Sequence, residues 1–206
     1  MIDYKCKLEE GKFYHIYNRG NNSDTIFYNN GNYEYFLKKY DEYLSDYIET
    51  YTFCLLPNHF HLLVRVQNQN PARVLNSGRV LNSGRVIIPK DISLKFSHFF
   101  NSYSQSINKQ QNRHGSLFEK PYRRIEVNSM QYLQNLVFYI HANPQLHGLT
   151  DDFRTYKWSS YQRILIDKPS KLFKKEVIEW FDDKENFINY HLQKIESETI
   201  KHLLLE

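Results

Sequence analysis

The sequence predicts an α+β fold, an antiparallel sheet with helices packed on one face. Three observations lead there. Short apolar runs alternate with long segments of helical periodicity in the order β-α-β-β-α-β-α. Two of the apolar runs are split only by Pro57-Asn58, a connection that suits a hairpin. The first long helical segment is amphipathic, so it has one stripe to bury against a sheet.

Each element has its own signal. Residues 13 to 18, FYHIYN, combine aromatic and β-branched residues in a strand that the turn-forming RGNNSD ends. From Asn32 to Tyr47, the residues Tyr33, Phe36, Leu37, Tyr40, Tyr43, Leu44 and Tyr47 recur at spacings of three and four, predicting a helix. YTFCLL (51 to 56) and HFHLLVRV (59 to 66) are the hairpin strands. Ile92 to Gln110 carries Leu94, Phe96, Phe99, Phe100, Tyr103 and Ile107 at helical spacing, and YRRIEV (122 to 127) returns to a strand pattern. Ser129 then caps a helix over MQYLQNLVFYIHAN, which Pro144 is expected to terminate. The first six elements match the ferredoxin-like split β-α-β arrangement, whose second sheet face is expected to stay open to a ligand.

Beyond Trp158, a short helical piece, WSSYQRIL, is expected to pack through Trp158 and Tyr161. A charged tail follows with helical spacing at Val177, Trp180, Phe181, Phe187 and Ile188. Residues 1 to 165 therefore read as one domain and 166 to 206 as a helical C-terminal tail. The 206 residues suffice for one domain with a proper core. In the loop after the third strand, the hexapeptide RVLNSG occurs twice within residues 73 to 86, too few copies for a solenoid, and offers Arg73, Arg79 and Arg85 to phosphates.

Composition narrows the function classes. A formal charge of +4 is compatible with a nucleic-acid partner, yet short of what binding by charge alone requires. The 17 Tyr and 14 Phe suit base stacking, although most must fill or cover the core. Two distant cysteines, Cys6 and Cys54, predict neither a disulfide nor a zinc knuckle. No run approaches the roughly 20 apolar residues of a membrane span, and the N-terminus lacks a secretory signal, so a cytoplasmic protein with no membrane partner is expected.

The strand LLPNHFHLLVRV sets His59 and His61 one residue apart. Alternation points both imidazoles to one face while Phe60 faces the core, the geometry of an incomplete metal site with open positions. Downstream, Tyr139 and Asn143 lie four residues apart on the last helix and share a face. That face borders the buried stripe of Leu133, Leu136, Val137 and Ile140, where the sheet surface begins. Arg123 and Arg124 fall on the preceding strand, one to each face, and Arg19 ends the first strand; these are the candidates for phosphate contact. His141 falls on the far side of the helix and is expected to pack or meet solvent.

LLPNHFHLLV, followed far downstream by a helix bearing Tyr-x-x-x-Asn and then Pro, resembles the single-tyrosine HUH transposases, specifically the REP-associated tyrosine transposase-like group. FYHIYNRGNN, GSLFEKPYRRIEV, YIHANPQLHGL and YKWSSYQ extend the resemblance over about residues 11 to 165. The resemblance implies a metal-dependent single-strand DNA transesterase that forms a 5′-phosphotyrosine intermediate and recognises a DNA hairpin. Carried over by position, it makes Tyr139 the nucleophile and His59, His61 and Asn143 the ligands of a divalent metal, Mg²⁺ or Mn²⁺; the histidines alone would point toward zinc. It also allows a homodimer in which Tyr139 serves either its own histidines or those of a second copy. Two rival readings keep the same residues: a domesticated hairpin-DNA-binding protein without cleavage activity, and a metallohydrolase that activates water and tolerates loss of the Tyr139 hydroxyl.

Overall fold

A computed structural model of the chain describes residues 4–67 and 92–192; the repeat at 73 to 86 lies outside them. Its elements are β1 (Phe13–Arg19), α1 (Asn30–Leu44), β2 (Ile48–Leu56), β3 (His59–Val66), α2 (Ile92–Gln110), β4 (Arg123–Val127) and α3 (Met130–Leu146). Three short helices follow: α4 (Tyr161–Leu165), α5 (Lys174–Glu179) and α6 (Lys184–Tyr190). The strands form one sheet in the order β2-β3-β1-β4, and every neighbouring pair is antiparallel. This is the α+β, split β-α-β arrangement expected from the sequence. Leu56 pairs with His59, so Pro57 and Asn58 form a two-residue hairpin turn. No helix among the described residues is long and apolar enough to cross a membrane.

Alternation along the strands divides the buried residues into two cores. On the first face, Tyr14, Ile16, Phe53, Leu55, Phe60, Leu62 and Val64 meet Phe36 of α1 and Phe96, Phe99 and Tyr103 of α2. The rings pack edge-on or tilted, as in Phe36 with Phe99 (centroids 4.8 Å apart) and Phe36 with Phe60 (5.2 Å), which aromatic quadrupoles favour over face-to-face stacking. The Tyr103 hydroxyl, buried with them, donates to the carbonyl of Ile26 at 2.7 Å. Much of the aromatic excess is thus core.

The second face departs from the expectation of an open sheet. Helix α3 lies across β2 and β3, packing Leu133, Leu136, Val137 and Ile140 with Tyr51, Leu56, Leu63 and Val127. Every residue from Asn135 to Pro144 is buried, a full circumference of helix, because α4 to α6 cover its outer side through Tyr161, Val177, Phe181 and Phe187. The same C-terminal segment closes the free edge of β2: Leu55 N–H donates to Trp158 O, Ser160 N–H to Phe53 O and Phe173 N–H to Thr50 O.

Pro144 does not end α3. It lies inside the last turn, and the helix continues to Leu146. The missing N–H removes one bond, to the carbonyl of Ile140, but His147 N–H still donates to Asn143 O and Leu149 N–H to Pro144 O, which closes the turn.

A buried hydrogen-bond chain ties α3 to β2, α4 and α6. His191 Nδ1 donates to Phe187 O (2.7 Å), which leaves its Nε2 to accept from His141 Nδ1 (2.9 Å). His141 Nε2 then accepts from Ser160 Oγ (2.8 Å), and Ser160 Oγ accepts from Phe53 N–H (2.9 Å). Each proton has one consistent position, and both imidazoles are neutral. Burial, reinforced by the neighbouring His191, holds His141 well below the usual imidazole range, and burial lowers His191 to about 4. An unfolded histidine titrates near 6.5, so this stabilisation is complete above that pH and is lost as pH falls from there toward about 4. We predict that denaturant unfolding at pH 4.5 finds the chain weaker by about 2–3 kcal/mol from His191 alone, relative to pH 7.5. His191→Gln removes that titration and should flatten the slope over the same interval.

Candidate active site

The register of the central strands assembles the site. His59 and His61 project from β3 to the second face, opposite Phe60 and Leu62. In the β1–β3 pair, Tyr17 stands opposite His61 and Arg19 opposite His59, and His15 lies diagonally from His61. Across β1 and β4, Arg123 stands opposite Tyr17. Helix α3 crosses above this row and lowers Tyr139 and Asn143 onto it. Asn143 Oδ1 comes within 3.0 Å of His59 Nε2, and the Tyr139 ring meets the His61 ring edge-on with centroids 5.5 Å apart. All four residues expected from the sequence therefore meet within one chain. The phenol, however, is not at a border: Tyr139 is 2% exposed, His59 2% and His61 1%, because α3 is enclosed on both sides.

The hydrogen bonds of His59 disclose what the cluster can hold. Nδ1 faces Asn58 Oδ1 at 2.7 Å and Nε2 faces Asn143 Oδ1 at 3.0 Å, yet a neutral imidazole carries only one N–H. With that proton on Nδ1 and donated to Asn58, two acceptors, Nε2 and the Asn143 oxygen, lie side by side. Asn143 Nδ2 is buried and makes no hydrogen bond among the described residues. A cation satisfies such a pair. Adjacent ligands of an octahedral ion at about 2.1 Å are separated by about 3 Å, the spacing found here. Among the described residues no three His, Cys, Asp or Glu side chains group into a ligand set, and the polar group that meets His59 Nε2 is the amide of Asn143. The set contains no carboxylate. A divalent ion held there would need ligands from outside the protein to balance its charge.

Other residues complete the surroundings. The rings of His15, Tyr17 and His61 lie nearly parallel, with centroids 4.7 to 5.6 Å apart, and form one wall. His15 Nε2 lies 2.9 Å from His61 Nδ1. His147, one turn beyond Asn143, sets its exposed ring edge-on to His59 at 4.6 Å. None of His15, Tyr17, Asn58 or His147 stood out as a site residue in the sequence. The signals were present: His15 and Tyr17 share a strand face, Asn58 adjoins His59, and His147 continues the i, i+4 stripe of Tyr139 and Asn143. His141, as expected, packs.

The three arginines divide. Arg19, opposite His59, has a buried Nε that makes no hydrogen bond among the described residues. The Arg123 guanidinium lies 5.9 Å from the Tyr17 ring centroid and 3.8 Å from the Glu119 carboxylate, at the rim of the wall. Arg124 is turned to the other face. It donates to the carbonyls of Lys5 and Cys6 and covers the Tyr122 ring, holding the N-terminal segment rather than joining the site. Replacing the amide partner of His59 is expected to register in stability: Asn143→Ala should lower it by about 1–3 kcal/mol in a chelator-containing buffer, measured by denaturant unfolding.

No protein-family model matches the chain. Over 137 residues it is 23% identical to a protein of Haemophilus influenzae whose name places it among the REP-associated tyrosine transposases; the match covers 59% of this chain and 72% of that protein. Among solved structures it is similar to a REP-associated tyrosine transposase bound to a REP hairpin, with a TM-score of 0.60 at 13% identity over 80% of this chain and 86% of the other. That structural likeness shows a shared fold. The name of the Haemophilus influenzae relative supports the group that the sequence motifs resemble.

Proposed function

We propose that this chain, a relative of the REP-associated tyrosine transposases, cleaves and rejoins single-stranded DNA beside a hairpin, with Tyr139 as nucleophile. The observation that carries the reading is the convergence of two strand-borne imidazoles, an amide oxygen and a phenol from a separate helix, all within one polypeptide. Tyr139 Oη gives up its proton to solvent as it attacks the scissile phosphorus, and the P–O3′ bond breaks. The bonding pair leaves with the 3′ oxygen, which takes up a proton, while the 5′ phosphate stays on the tyrosine. One phosphodiester replaces another, so little free energy is lost, and a 3′-hydroxyl can later displace Tyr139 by the reverse path.

A phenol with an ordinary pKa near 10 is a weak nucleophile, so the electrophile needs help. His59, His61 and Asn143 would hold a divalent cation, Mg²⁺ or Mn²⁺, which when bound supplies positive charge at the phosphate oxygens. Asn58 keeps the His59 proton on Nδ1 and so keeps Nε2 available. Arg19 and Arg123 flank the row and neutralise neighbouring phosphates, where a guanidinium can bind bidentately.

Burial of Tyr139 adds a requirement: the phosphate reaches the phenol only after α3 and the sheet part locally, so DNA binding includes an opening step. The same burial favours the second reading, a hairpin-DNA-binding protein that does not cleave.

A labelled hairpin oligonucleotide with a single-stranded flank separates the two. With Mg²⁺ or Mn²⁺ the cleaving protein yields an adduct that survives denaturation, disappears in Tyr139→Phe and falls about 100-fold or more in His61→Ala. Tight binding with no adduct supports the second reading, and an adduct undiminished in Tyr139→Phe overturns the assignment of the nucleophile. In a parallel binding titration, Arg19→Ala and Arg123→Ala should each lower the salt slope by about 0.7–0.9. Arg124→Ala should leave that slope unchanged.

A further inference from the structure

The contact between His15 and His61 contains a choice that decides whether His61 can act as a ligand. His15 Nε2 and His61 Nδ1 are 2.9 Å apart, and one proton lies between them. If His15 donates, His61 Nδ1 accepts, the His61 proton resides on Nε2, and that nitrogen has no lone pair to offer. If His61 donates, its Nε2 keeps its lone pair, and the edge-on ring of Tyr139 lies against the same imidazole. Only the second arrangement matches His59, whose Nδ1 faces the amide oxygen of Asn58 and whose Nε2 faces Asn143.

We infer that His15 is a positioning residue: it accepts the Nδ1 proton of His61 and so fixes the tautomer and ring plane that expose His61 Nε2. The inference rests on the metal-site reading proposed above. Its geometric support is independent of that reading. His15 sits on the central strand β1, two residues before Tyr17 and therefore on the same face, and the antiparallel register sets it diagonally across from His61. Its ring lies within 24° of the plane of the His61 ring, which brings the two nitrogens edge to edge, and Tyr17 stacks on both. His15 is 2% exposed and His61 1%, so bulk water does not compete for the proton between them. Outer partners of this kind orient metal-bound imidazoles, and their removal typically costs 10- to 100-fold in metal affinity.

Side-chain ¹⁵N NMR of the metal-free protein tests the assignment directly. The wild type is expected to show His61 protonated on Nδ1 and bare on Nε2. In His15→Ala the population should move toward the Nε2–H form, which imidazole ordinarily prefers, while His15→Gln, whose amide oxygen can accept the same proton, should restore Nδ1–H. Mn²⁺ binding followed by electron paramagnetic resonance should weaken about 10- to 100-fold in His15→Ala and return to within a few-fold of wild type in His15→Gln. His61 bare on Nδ1 in the wild type overturns the proposal, as does a tautomer that ignores the loss of His15. Should His15→Ala not fold, the wild-type spectrum and His15→Gln still decide. A wild type that binds no Mn²⁺ removes the metal reading, while the tautomer measurement separately settles what His15 does to His61.

Discussion

Antiparallel pairing of β1 with β3 at the centre of the sheet governs both of its faces. It places Ile16 against Leu62 and Tyr14 against Val64 on the side of α1 and α2, which builds the larger core. By the same register it sets Tyr17 beside His61 and Arg19 beside His59 on the other side. A slip of one residue would exchange the faces, driving imidazoles into the aromatic core and phenylalanine onto the polar row. The burial of Phe36, Phe60, Phe96 and Phe99 is thus what keeps the histidines where they are, and the hydrophobic core and the candidate site are two readings of one constraint.

The second constraint is enclosure. A ferredoxin-like sheet can leave one face bare, but here α3 occupies it and the C-terminal helices occupy the far side of α3. The position of Tyr139 is therefore set by packing on both sides. The hydrogen-bond chain through Ser160, His141 and His191 adds a direction to that packing, because it links the backbone of β2 to the C-cap of α6 through the tyrosine helix. His141 lies two positions after Tyr139, so the face that carries chemistry and the face that carries the latch lie on opposite sides of one turn.

Electrostatics separates the site from its rim. The row itself contains no carboxylate, only imidazoles, an amide and a phenol, so it is buried without the desolvation cost of a carboxylate cluster. Positive charge is kept at the edge, on Arg19 and Arg123. Such an arrangement is suited to a polyanion that brings its own charge, and it agrees with a chain whose net charge is only +4. Arg124, adjacent to Arg123 in sequence, illustrates how local this logic is: alternation sends it to the opposite face, where its guanidinium ties down backbone carbonyls.

Period and local chemistry were enough to read the elements from sequence: the order of strands and helices, the Pro57-Asn58 hairpin, the Ser129 cap and the shared face of His59 and His61 all depend on residues close along the chain. The pairing of His59 with Asn143 was legible only as a spacing joined to a family resemblance, since no local rule says which helix crosses which strand. The tertiary structure alone decided the rest. His15 joins His61, Asn58 turns its side chain to His59, Arg124 leaves the site, Pro144 is accommodated within α3, and Tyr139 is enclosed rather than bordering an open sheet. Each of these is fixed by contacts between segments far apart in sequence, or by the cover that the C-terminal helices supply, and side-chain periodicity carries no information about what a face will meet.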